Sequence, residues 1–174
     1  KLSQTKLLFL FTIYTGLSFI DLYKSKESDL IIDDDGMYWL KTFRQKSKSR
    51  VSVPLISYAV DCLKKLRSGE FEIQNGNLLP VKSNVHLNLE IKQVCQLCGL
   101  TDGHLTTWHS GRRSTSSLMM KMGIPLQILQ KVLSHKSLST SLMYYTHTDD
   151  KMVKESMKEL DKRLNEFKDS SKDI

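Results

Sequence analysis

The sequence lacks any apolar run near the ~18 residues that a membrane-spanning helix needs. Its best candidate, Leu7 to Ile13, stops far short. It also shows no N-terminal signal peptide, no internal repeat and no low-complexity tract, which argues against a membrane protein, a repeat array or a disordered chain. Cysteine is scarce: Cys62, Cys95 and Cys98 are the whole set, which suits a reducing compartment better than a disulfide scaffold. Cys95-Gln-Leu-Cys98 has the spacing of half a zinc site, but no second pair completes four ligands. Apolar residues recur at helical spacing through LNLEIKQVCQLCGL, so two buried helical thiols are expected, and no metal.

What is present indicates one folded domain. The 174 residues are 40% hydrophobic and 26% charged, enough for a real core. Twenty-six Lys and Arg against nineteen Asp and Glu leave +7, which favours a polyanionic partner. The excess is uneven. Residues 151–174 are nearly neutral, whereas Lys41 to Arg50 (KTFRQKSKSR) carries five basic residues and no acidic one. Such a run suits a solvated hairpin as well as it suits nucleic-acid contact.

Periodicity and turn residues predict a mostly helical α+β domain with a small three-stranded antiparallel sheet. Residues 3–15 read as a helix closed by Gly16, and Phe19 to Tyr23 as a short second helix. Asp29–Ile32, a turn through Asp33-Asp34-Asp35-Gly36, Met37–Phe43 and Val51–Pro54 read as the three strands, with Lys46 and Lys48 at the turn between the last two. Ser57–Leu66, Asn84–Leu97, Ser110–Met122 and Leu126–Leu133 read as helices, the last two separated by Gly123-Ile124-Pro125. A turn at Ser134–Ser139 precedes a helix at Thr140–His147. A final amphipathic helix carries Val153, Met157, Leu160, Leu164 and Phe167 on one face.

Chemistry-bearing side chains concentrate in the second half. His109 and Arg112 stand three apart at a helix start, on one face. Ser134-His135 follows the helix ending QILQKVL, and Tyr144 stands nine residues beyond His135 in STSLMYYTH. A proton shuttle, a fixed cation, a second imidazole and a phenol could converge on one phosphate.

These segments resemble the catalytic domain of the tyrosine recombinase (phage-type integrase) family. WHSGRRSTSS matches the family's His-x-x-Arg box, GIPLQILQKVLSH its helix and Gly-His pair, and HKSLSTSLMYY its tyrosine segment. TGLSFIDL matches the "TGLRxxEL" segment, and QKSKSRVSVPL the strand–turn–strand lysine segment. The five boxes keep the family's order over about residues 5–148.

The resemblance implies roles. Tyr144 would be the nucleophile, giving a 3′-phosphotyrosyl link and a free 5′-hydroxyl, with no ATP, metal or other cofactor. His109 would take or share the phenolic proton. Arg112 would clamp the non-bridging oxygens, Lys46 would protonate the leaving 5′-oxygen, and His135 would bond the phosphate. Arg44, Lys48 and Arg113 would contact DNA. Spacing from His135 favours Tyr144, whereas the Tyr-Thr-His ending favours Tyr145; Tyr144 is taken as the nucleophile.

Two departures stand out. The family's first arginine is Ser18 here, as in a branch on conjugative transposons, and Arg44 or Arg113 is expected to supply the second cation. Asp21 falls where an acid often braces the arginines, or is a plain helix-face charge. The Gly before the second His is Ser134. Residues 1–150 would form the catalytic domain of a bacterial, cytoplasmic, nucleoid-associated integrase of a mobile element, without the family's core-binding domain. It would act on double-stranded DNA as a tetramer, monomeric when isolated, with no membrane partner. Residues 151–174 would pack on their own domain or dock on a neighbouring protomer. A non-catalytic DNA-binding remnant and a type IB topoisomerase-like relaxase are the rival readings.

Overall fold

The computed structural model describes residues 2–43, 49–74, 76–134, 153–154 and 156–162. The predicted turn at 135–139, the helix at 140–147 and Leu164 and Phe167 of the final helix lie outside these residues.

Helix α1 (Leu2–Thr15) is the central element. It packs against α3 (Ser57–Leu66), α4 (Asn84–Leu97) and α5 (Trp108–Lys121). Leu8 and Phe11 are fully buried, and so are Thr5, Thr12 and Thr15. A central helix can bury threonines only if their hydroxyls are satisfied. Thr12 and Thr15 do so by donating to the Leu8 and Phe11 carbonyls one turn back, and Thr5 by donating to Glu90 on α4. The Glu90 carboxylate also accepts from Lys82 at 2.9 Å and meets His86 Nε2 at 2.9 Å. Burial pushes its carboxyl up, but the Thr5 hydroxyl, Lys82 and His86 outweigh that and hold it below the usual carboxylate range.

Helix α2 (Phe19–Lys24) leads to a sheet of order β1 (Leu30–Ile32), β2 (Tyr38–Phe43), β3 (Arg50–Pro54), antiparallel throughout as predicted. Leu30 pairs with Leu40 and Leu40 with Val53. Leu40, Val51 and Val53 join Leu8, Phe11 and Leu63 in one core. The β1–β2 turn is pinned by Asp33, whose carboxylate accepts from the Met37 N–H at 2.8 Å and from Trp39 Nε1 at 2.7 Å. Those two bonds, the Trp39 one foremost, lower the Asp33 pKa.

Helices α3, α4 and α6 (Leu126–Leu133) have the predicted bounds, whereas α5 begins at Trp108. The earlier start follows from a capping box: Ser110 Oγ accepts from the Thr107 N–H at 3.1 Å, moving the helix start two residues upstream. One expectation fails. Cys62 and Cys95 are buried but Cys98 is exposed. It is the C-cap of α4, where the buried face has already ended. All three thiols are free.

Residues 153–154 and 156–162 are helical, and Val153, Met157 and Leu160 are all exposed. No helix among the described residues is long and apolar enough to cross a membrane.

Candidate active site

The site forms where the C-terminal ends of α1 and α6 meet the first half of α5. Trp108, Gly111 and Thr115 lie at helical spacing and are buried. This stripe sets α5 on α1, with the Trp108 ring edge-on to Phe9 at 5.4 Å. Glycine at 111 suits this close approach: a Cβ there would lie 3.0 Å from Phe9 Cε2 and 3.2 Å from Thr12 Cγ2, so those side chains would have to give. Thr115 Oγ1 donates to the Ile13 carbonyl at 2.8 Å, tying the two helices near the α1 terminus.

Arg112 lies beside that stripe and is half-buried. Its guanidinium spans two helix ends, donating through Nη1 to the Gly16 carbonyl and through Nη2 to the Leu133 carbonyl. Both carbonyls sit at helix C-termini, where the macrodipole is negative, so a cation is favoured there. Gly16 makes this possible in two ways. Its φ of +67° closes α1 in the left-handed region, and a Cβ there would stand 2.5 Å from Leu133 Cδ2. Any side chain would strain the left-handed backbone and have to displace the Leu133 methyl.

His109 stands one turn before Arg112, accessible, in the first turn of α5. Its place is fixed by the start of the helix: Asn88 Oδ1 of α4 accepts from the Trp108 N–H at 2.7 Å. Partial burial lowers the His109 pKa, and the Arg113 and Arg112 guanidiniums lower it further. The positive end of α5 acts in the same direction. These effects all favour the neutral imidazole, the form able to accept a proton.

Ser18 has become a structural residue. It is the N-cap of α2, accepting from the Asp21 N–H at 3.4 Å, while its Oγ donates to Asp21 Oδ2 at 2.5 Å. Asp21 is only 2% exposed. That removes the plain helix-face charge as a reading, since the acid is enclosed. Arg113 is exposed on the next residue of α5, turned about 100° from Arg112.

The structure thus brings His109 and Arg112 together with Arg113 alongside. Lys46, Arg44, Lys48, His135 and Tyr144, with Tyr145, lie outside the described residues. Their flanks are defined. Arg50 opens β3 directly after the basic segment, and a cleft of about 390 Å³ lined by Lys41, Thr42, Phe43, Arg50, Val51 and Ser52 lies where β2 and β3 open toward it. Ser134, immediately before His135, ends α6. No cluster of three or more His, Cys, Asp or Glu that could hold a metal occurs among the described residues. Sequence reasoning missed the Gly16 and Leu133 carbonyls and the Asn88 support. Only Gly16 carried a signal, as a helix-ending glycine.

With this geometry in place, comparison with known proteins is decisive at the level of family. The profile of the phage integrase family matches residues 2–152. The chain belongs to the phage integrase family. No curated protein matches it significantly. Among solved structures, it resembles the XerH site-specific recombinase bound to difH substrate, at 22% identity and a TM-score of 0.68, covering 89% of this chain and 46% of that one. The Tn1549 transposon integrase in complex with transposon right end DNA aligns at 14% identity and a TM-score of 0.66, over 91% and 59%. A lambda integrase dimer bound to a COC' core site aligns at 20% and 0.63, over 84% and 44%. This phage integrase family chain thus shares their fold while spanning about half the length of these relatives.

Proposed function

We propose that this chain is the catalytic domain of a site-specific DNA recombinase that cleaves and rejoins double-stranded DNA through a 3′-phosphotyrosyl intermediate. The observation that carries the reading is the Arg112 guanidinium, fixed across two helix ends with the His109 imidazole one turn away. A planar fork held rigid before substrate arrives needs no reorganisation as charge grows on a pentacoordinate phosphate.

In this reading Tyr144 attacks the scissile phosphorus. Its proton passes to His109, and the 5′-oxygen leaves with a proton from Lys46. Arg112 and His135 bond the non-bridging oxygens. The phosphodiester energy is kept in the tyrosyl ester, so rejoining is the same step run backwards with a new 5′-hydroxyl, and no cofactor is required by the chemistry. Arg44 or Arg113 supplies the cation that Ser18 does not, and Lys48 adds backbone attraction. The DNA complex is a homotetramer, in the cytoplasm of a bacterium carrying the mobile element, with residues 151–174 packed on their own domain or docked on a neighbouring protomer.

The test is a duplex nicked close to the scissile phosphate, so that the short 5′-hydroxyl strand diffuses away after attack. The expected result is a denaturation-resistant protein–DNA product whose linked peptide is identified by mass spectrometry. Binding with no covalent product would leave the DNA-binding remnant, and relaxation of supercoils without site preference would favour the topoisomerase-like relaxase.

The lowered His109 pKa gives a pH prediction. A base works only when deprotonated, so the cleavage rate falls with acid as His109 protonates. The midpoint of that acid limb is expected below the ordinary histidine value of 6.5. Arg113→Ala removes one guanidinium that opposes the imidazolium, so the midpoint moves up toward that value, read from single-turnover rates against pH. A midpoint unchanged or moved down would dissociate His109 from the limb.

A further inference from the structure

A helix ending in the left-handed region normally does so on glycine, because a Cβ strains that conformation. Helix α6 ends on Ser134 at φ 48° and ψ 46°, the one non-glycine residue with positive φ among the described residues. The strain calls for a compensating contact, and there is one. Ser134 Oγ lies 3.3 Å from the Arg50 carbonyl and 3.4 Å from the Lys131 carbonyl. The second contact is local to the α6 turn. The first crosses to β3, 84 residues away in the chain, at the strand's first residue.

The neighbours of these two points matter more than the bond itself. The residue before Ser134 is Leu133, whose carbonyl holds Arg112. The residue after it is His135. Arg50 follows the basic segment that includes Lys46. One hydroxyl therefore joins the backbone that aims the Arg112 fork to the first residue of β3.

We propose that Ser134 is a positioning residue, its hydroxyl latching the C-terminal turn of α6 to the start of β3 so that the Leu133 carbonyl, and with it the Arg112 clamp, is held in place against the sheet. The proposal rests on the phosphotyrosyl reading for its catalytic consequence. The latch has no partner in the reaction itself; it acts through the Leu133 carbonyl and the Arg50 backbone.

Glycine at 134 separates this role from a structural one, because it relieves the backbone strain and removes the hydroxyl together. If Ser134 only ends the helix, Ser134→Gly melts at the same or a higher temperature and cleaves as fast as the parent or faster. If the hydroxyl positions the site, Ser134→Gly melts at the same or a higher temperature, binds duplex DNA with unchanged affinity, and cleaves the nicked duplex about three- to tenfold more slowly, the factor that one ordinary hydrogen bond is worth in a rate. Ser134→Asn, which tolerates the left-handed region and restores a donor, recovers most of the loss. A second readout needs no DNA: the Arg112 side-chain nitrogen resonances of the 174-residue protein are expected to be sharp and distinct in the parent and averaged in Ser134→Gly. Parental cleavage rates in Ser134→Gly overturn the proposal, as does a fall in melting temperature that accompanies the lost cleavage, or an unchanged Arg112 spectrum. If the parent itself gives no covalent product, the recombinase reading fails, while the spectrum still decides whether the latch holds Arg112.

Discussion

Tyr144→Phe is expected to abolish the covalent protein–DNA product altogether. The substitution removes one oxygen and leaves the ring, so folding and duplex binding should survive. What is lost is the oxygen proposed to attack phosphorus, and removal of a nucleophile costs on the order of 10⁶ in rate where such chemistry has been dissected. On a nicked duplex the adduct should fall below detection. Tyr145→Phe is the matched control. On the helix that the sequence predicts over 140–147, adjacent residues would point about 100° apart, so one of the two phenols would face the phosphate, and Tyr145→Phe should keep most of the product. Adduct persisting in Tyr144→Phe and vanishing in Tyr145→Phe would transfer the role to Tyr145. Adduct persisting in both single variants would mean another residue is the nucleophile.

How far the sequence foretold this structure depended on what kind of group carried each feature. Helices α3, α4 and α6 were legible to the residue, because their apolar periodicity runs out into turn segments such as Cys98-Gly99 after α4 and Ser134–Ser139 after α6. The start of α5 was misplaced by two residues because Thr107 and Ser110 form a capping box with serine in the place where glutamate or glutamine is expected. Cys98 was misjudged for a related reason: helical spacing predicts a face, but a face means nothing at a C-cap. Burial of Asp21 was legible only as one of two alternatives, since its enclosure depends on the Ser18 hydroxyl and on long-range packing.

The candidate site divides in the same way. His109, Arg112 and Arg113 could be named from their box, because side chains leave a mark in the sequence. The two carbonyls that hold Arg112 leave none. Backbone oxygens are common to every residue, and only tertiary contact between Gly16 and Leu133, residues more than a hundred positions apart, turns them into a seat for a cation. The Asn88 cap on the Trp108 N–H belongs to that same class. A reading of motifs therefore supplies the reacting groups and leaves out the frame that aims them.

That frame makes Arg112→Lys a sharper test than charge removal. Lysine keeps the positive charge beside the α1 and α6 termini, so the attraction between cation and helix ends survives in part. A single ammonium, however, presents its three donors from one point and cannot reproduce a planar fork that reaches two carbonyls and a phosphate at once. The expected result is retained duplex binding with cleavage lowered by about 10²–10³, the range seen when one preorganised donor to a developing oxyanion is lost. Arg112→Ala should lose more, and lose it differently. The Gly16 and Leu133 carbonyls then forfeit a charged donor, at about 1–3 kcal/mol for a buried group deprived of its partner. At about 2–4 °C per kcal/mol for a chain of this size, the melting temperature falls by several degrees, whereas Arg112→Lys melts close to the parent. The pair of variants separates the two duties of one side chain: stability follows the carbonyls, and rate follows the fork. Arg112→Lys cleaving at the parental rate would show that charge alone suffices, and the geometry across the two helix ends would then serve the fold and not the reaction.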